Sequence, residues 1–134
     1  MPDIDIVNKA REYLGVKFLH RGRDKKRGID CIGLWVCILH DLNITQDDYT
    51  TYGRYPRPTI AREKVLEYFY KVNLEDIQPG DMLYIKMRKQ PQHFAVYTDK
   101  ESIIHAFEMV NKCVESRYDK DWKDKTVEAY RVRR

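Results

Sequence analysis

The apolar positions of the first half recur at helical spacing. Between Ile4 and Leu14 they fall at Ile6-Val7, Ala10 and Tyr13-Leu14, which predicts an amphipathic helix with Gly15 as its stop signal. A second stripe, Leu34-Trp35, Ile38-Leu39 and Leu42, predicts a helix from Asp30 to Leu42. Asp30 stands where an N-cap belongs, so Cys31 falls in the first turn. Residues 43–58 hold Tyr49, Tyr52, Tyr55 and two prolines and read as an irregular loop. Thr59 is then expected to cap a third helix, Ile60 to Tyr70, with Glu63 or Glu67 on its outer face.

The period changes after the turn signal Gln78-Pro79-Gly80-Asp81. Alternating, β-rich runs follow at Met82–Met87, His93–Thr98, Ser102–Phe107, Lys112–Tyr118 and Val127–Val132. Helices first and a meander of strands afterwards predict an α+β fold, with the N-terminal helices packed on a mostly antiparallel sheet of five to six strands. No linker or repeat interrupts the chain, so residues 1–134 read as one domain.

Composition narrows the classes. With 43% hydrophobic and 34% charged residues the chain suits a globular domain, and no apolar run approaches bilayer length, which excludes membrane insertion. Met1-Pro2-Asp3-Ile4-Asp5 lacks the basic and apolar regions of a secretory signal, so the chain reads as made in the cytoplasm and carried elsewhere by other means. The net charge of +4 suits an anionic polymer. Its densest basic stretch, Arg21 to Arg27, reads as an exposed loop. It carries no interleaved aromatics for base stacking, which speaks against a nucleic-acid partner.

Three cysteines, Cys31, Cys37 and Cys113, make an odd count without paired spacing and read as reduced thiols. Cys31 stands where a loop enters a helix, and free amides and the helix dipole are expected to favour its thiolate. The flanking Gly28 and Gly33 leave room for a substrate backbone. Cys37 and Cys113 read as core. A metal shared by Cys31, Cys37 and His40 is ruled out because Cys31 and His40 leave opposite sides of the helix.

A nucleophilic cysteine needs a base, and the base needs a group that fixes its tautomer. His20 lies in the basic loop and His40 late on the cysteine helix. His93 opens one predicted strand and His105 lies within the next, so the two are able to stack at one spot. That requires an odd-numbered hairpin turn. Three residues, Asp99-Lys100-Glu101, would oppose Thr98 to Ser102 and Ala95 to His105, and set His93 one diagonal step of about 7–8 Å from His105. Two residues would send the histidines to opposite faces.

These elements together resemble the NlpC-type cell-wall cysteine peptidases, a papain-like family, most closely its short phage and prophage members. The resemblance rests on Tyr13-Leu14-Gly15, Asp30-Cys31-Ile32-Gly33-Leu34, Pro79-Gly80-Asp81, the strand His93 to Tyr97 and Ile104-His105-Ala106. It implies Cys31 as nucleophile, His93 as base and His105 as the orienting group, with no cofactor. Asp30, Phe18, Ile32 and Gly33 become candidate substrate-binding residues. Ile32 stands where the family usually has Ser, and Phe18 where it has Tyr. The implied activity is hydrolysis of peptidoglycan stem peptides, commonly at the D-γ-glutamyl–diaminopimelate bond, at the cell wall or in a virion tail with other tail proteins. Acyl transfer to an amine or amidase action at the same site is the alternative, and a structural tail protein the further one.

Overall fold

The computed structural model describes residues 2–48, 58–87 and 93–134, with the side chains of 58–62 left aside. The expected aromatic loop lies partly outside this set, Tyr49, Tyr52 and Tyr55 included. Helix α1 (Ile4–Arg11) begins on Asp3, whose carboxylate accepts from the Ile6 amide at 3.4 Å, and buries Ile6, Val7 and Ala10. It is shorter than its stripe, because Tyr13 and Leu14 belong to turns that end at Gly15. The basic loop is not wholly irregular: Arg23–Asp24 (β1) and Gly28–Ile29 (β2) pair as a small antiparallel hairpin. Helix α2 (Cys31–Asp41) follows, with Asp30 as its N-cap.

Helix α3 covers Pro58–Tyr68. Thr59 therefore lies inside it and is not its cap, since Pro58 is the first helical residue, a place that suits a ring with no N–H to lose. The helix also stops sooner than expected, and Phe69–Val72 forms strand β3.

The remaining strands are β4 (Met82–Ile85), β5 (His93–Tyr97), β6 (Ser102–Phe107), β7 (Lys112–Arg117) and β8 (Thr126–Val132), with a short helix α4 (Lys120–Lys125) before the last. Their order across the six-stranded sheet is β3-β8-β4-β5-β6-β7, and every neighbouring pair is antiparallel. Four strands form a meander, and β8 returns to fill the space between β3 and β4.

One face of the sheet packs on α1 and α2 through Met82, Phe94, Val96, Ile104 and Ala106. The other carries Leu83, Ile85, Ala95, Ile103 and Ala129, with Tyr118 and Trp122 against them. The turn before β4 is held by Asp81, which is buried. Its oxygens take the Gln78 amide at 2.8 Å and the Arg131 guanidinium at 2.9 Å, tying the turn to β8.

Candidate active site

Asp30 builds the start of α2. Its Oδ1 accepts from the Gly33 amide at 2.7 Å and its Oδ2 from the Arg21 amide at 2.8 Å, so one buried carboxylate caps the helix and pins the preceding loop. Arg23 adds a contact at 3.4 Å and His20 one at 4.0 Å. With both oxygens used inside the protein, Asp30 has a structural task at the head of α2. A Cβ at Gly33 would stand 2.0 Å from the Gly22 carbonyl oxygen, so this glycine makes room for the chain's own loop.

Cys31 is 6% exposed at the head of α2. Its sulfur faces three backbone N–H groups, those of Phe94, Ile32 and Cys31 itself. The Phe94 amide is the peptide group that joins it to His93. Its freedom to face the sulfur follows from the sheet. The β5–β6 ladder pairs Tyr97 with Ile103 and Val96 with Ile104 and then opens, so the Phe94 amide leaves the ladder where continued pairing would aim it at Ala106.

The hairpin has the three-residue turn: the Thr98 amide donates to the Ser102 carbonyl at 2.9 Å across Asp99-Lys100-Glu101, and paired positions keep a constant even sum. His93 and His105 therefore share a face, and Nε2 of His93 lies 2.6 Å from Nδ1 of His105. Both are fully buried. Phe107 stacks on His105 with centroids 4.9 Å apart, and Trp122 meets it edge-on at 5.0 Å. Nδ1 of His93 has no hydrogen-bond partner among the described residues.

The pair leaves the sheet on the face covered by α4, whereas α2 packs on the other. What links the two sides is the start of β5, where the ladder opens: the Phe94 amide faces the Cys31 sulfur, and His93 is the residue before it. The hydrogen-bonded chain of polar groups extends one residue further than the sequence indicates. Nε2 of His105 lies 2.9 Å from Oγ of Ser116 on β7. Ile103 opposes Ser116, so Ser116 is the diagonal neighbour of His105, a relation available from the sequence once the β6–β7 register is known.

Burial governs the electrostatics. It pushes the Cys31 thiol up to about 12, with the Asp30 charge adding to the rise and the three amides opposing it. This overturns the expectation of a resting thiolate: the helix terminus acts, but desolvation outweighs it. Burial lowers His105 to about 4. It takes His93 well below the ordinary histidine value, and His105 beside it lowers it further. Burial thus holds the thiol and both imidazoles in their neutral forms.

Ile32 and Phe18 are half-buried. Ile32 and Phe94 line a cavity of about 220 Å³, walled also by Trp35, Leu39, Val65 and Phe69. Phe18 is held by its backbone, whose amide donates to the Asn111 carbonyl at 3.0 Å. His40 is turned away, its Nε2 2.7 Å from the Asp47 carbonyl oxygen. Cys37 donates to the Arg23 carbonyl at 3.1 Å, and Cys113 is buried. Among the described residues no three His, Cys, Asp or Glu side chains gather as a metal site.

The chain belongs to the NlpC/P60 family, whose model matches residues 15–131. Solved structures share the fold. The NlpC/p60 domain of the peptidoglycan hydrolase SagA superposes with a TM-score of 0.65 at 21% identity, covering 98% of this chain and 97% of that one. A protein from Staphylococcus aureus, described as similar to lipoprotein of the NLP/P60 family, gives 0.71 at 18% identity, covering 100% and 43%. The peptidoglycan hydrolase RipB from Mycobacterium tuberculosis gives 0.64 at 15% identity, covering 97% and 63%. The chain thus spans less than half of the Staphylococcus protein and just under two thirds of RipB. No protein with a curated description matches it.

Proposed function

We propose that the protein hydrolyses peptidoglycan stem peptides, with Cys31 as nucleophile, His93 as base and His105 as the group that orients His93. One observation carries the reading. Nε2 of His93 is held by His105, its buried Nδ1 is unbonded, and the amide of the next residue, Phe94, faces the Cys31 sulfur.

The chemistry follows from the neutral resting state. As the sulfur attacks the amide carbonyl, its proton moves to Nδ1 of His93, so the thiolate never stands free in its dry site. The Cys31 amide at the helix terminus holds the oxyanion. The imidazolium then gives its proton to the departing amine, leaving a thioester on Cys31. His93 next takes a proton from water, whose oxygen attacks the thioester and frees the carboxylic acid and the thiol.

The bond we assign is D-γ-glutamyl–diaminopimelate, and the setting is the cell wall, with delivery as a virion tail component alongside other tail proteins. The fold shared with the peptidoglycan hydrolases SagA and RipB supports the substrate class, and the net charge of +4 suits an anionic wall. Acyl transfer to an amine would start from the same thioester. Incubation with purified sacculi, followed by mass analysis of the soluble fragments with and without an added amine, tests the reading. It expects fragments ending in a free γ-carboxyl of D-glutamate whether or not the amine is added. Amide-capped fragments would turn the assignment to acyl transfer, and release of the same fragments by Cys31→Ala would refute it.

A further inference from the structure

We infer that Ser116 is a positioning residue that sets the proton arrangement of the buried histidine pair and, through it, the ability of His93 to accept a proton. The inference rests on His93 being the base. Between Nε2 of His93 and Nδ1 of His105, 2.6 Å apart, there is room for one hydrogen. Two arrangements satisfy that bond in the neutral pair. In the first, His93 carries its hydrogen on Nε2 and donates to His105. His105 then carries its own on Nε2 and donates to Ser116 Oγ across 2.9 Å. In the second every hydrogen runs the other way: Ser116 donates to His105, His105 donates to His93, and the His93 hydrogen sits on Nδ1.

Only the first leaves Nδ1 of His93 with a lone pair for the thiol proton. In the second the base is already protonated where it has to accept. The serine oxygen decides between them, because both rings are otherwise walled by Phe107 and Trp122, which offer no acceptor in the plane of His105. Ser116 is half-buried, so its own hydrogen is able to turn to solvent while its lone pair faces His105. The second arrangement would bury an N–H at Nδ1 of His93, which has no partner among the described residues, and an orphaned buried donor is costly. The first arrangement is therefore the resting one, and it needs an acceptor at position 116.

Removing that acceptor strands the Nε2–H of His105 in an apolar box and tilts the pair toward the second arrangement. The loss of one such bond corresponds to about a tenfold change in the ratio of the two. Nitrogen-15 spectra of histidine-labelled full-length protein at pH 7.5 read the tautomers without any substrate. The wild type is expected to show His93 and His105 both protonated at Nε2. In Ser116→Ala both rings are expected to shift toward the Nδ1–H form, with kcat/KM on stem peptide about two- to fivefold lower, the loss of competent form that a tenfold change in ratio gives when that form starts in the majority. Ser116→Thr, which keeps the hydroxyl, is expected to restore both readings. Should the alanine variant fail to fold, Ser116→Cys, whose sulfur is a weak acceptor, carries the same expectation. Unchanged tautomers in the variant that lacks the hydroxyl would overturn the proposal, as would a threonine variant as impaired as that one. If the wild type released no wall fragments, the hydrolase reading would fall, while the spectra would still decide what Ser116 does to the pair.

Discussion

His105 is fully buried, and its pKa falls from the ordinary 6.5 to about 4. His93 is lowered by the same burial and by its neighbour. A histidine kept neutral in the folded state but free to protonate when unfolded makes the unfolded chain bind more protons. Stability is then fully present above pH 6.5 and is lost as the pH falls toward 4. At 1.36 kcal/mol per pH unit, His105 alone removes about 2 kcal/mol between pH 6.5 and 5, and about 3 kcal/mol by pH 4. The window from 6.5 to 5 isolates the two buried histidines from the lowered carboxylates, Glu12, Asp99 and Glu115, which titrate below it, and His93 adds to the loss there. Urea unfolding at pH 7.5, 6.5, 5.5 and 5.0 measures the loss, and His105→Gln should flatten the profile by about the stated amount. A wild type equally stable at pH 7.5 and 5.0, or a variant with an undiminished slope, would refute the reasoning.

Three further outcomes follow from the same geometry. Asp30→Ala leaves the Gly33 and Arg21 amides without their acceptor and should lower stability by about 2–4 kcal/mol in a denaturant titration, a loss well beyond that of an exposed cap. Gly33→Ala places a Cβ 2.0 Å from the Gly22 carbonyl oxygen, so it should cost at least about 1–3 kcal/mol and show as a lowered Tm. The alkylation rate of Cys31, followed by mass spectrometry, should climb about tenfold per pH unit from 7 to 9 with no plateau, since its thiol is pushed up to about 12.

Local pattern made the meander legible. Alternation fixed β4 to β7 within a residue or two, and the even sum across Asp99-Lys100-Glu101 placed both histidines on one face. What escaped was non-local or short. β8 inserts between β3 and β4, and nothing in Thr126–Val132 names its neighbours. β3 continues directly from α3, so Phe69 and Tyr70 read as the end of the helix. Helix α4, six residues long, is too brief to show a period, although its Trp122 closes the histidine box. The position of Cys31 was readable, but its protonation was not. A helix terminus is a local feature, whereas the desolvation that outweighs it comes from strands more than sixty residues away. The structural tasks of Asp30 and Gly33 escaped for a related reason: the loop that fills the space beside them, Arg21 to Arg23, shows its path only in three dimensions.

The account stands on a thioester at Cys31. Rapid mixing with a synthetic stem peptide, acid quench and intact-mass analysis reads it directly. The account predicts a transient adduct equal in mass to the acyl portion ahead of the cleaved bond. Peptide mapping should place it on Cys31, and Cys31→Ala should form no adduct. Cleavage by the wild type with no adduct, together with cleavage by Cys31→Ala, would contradict it.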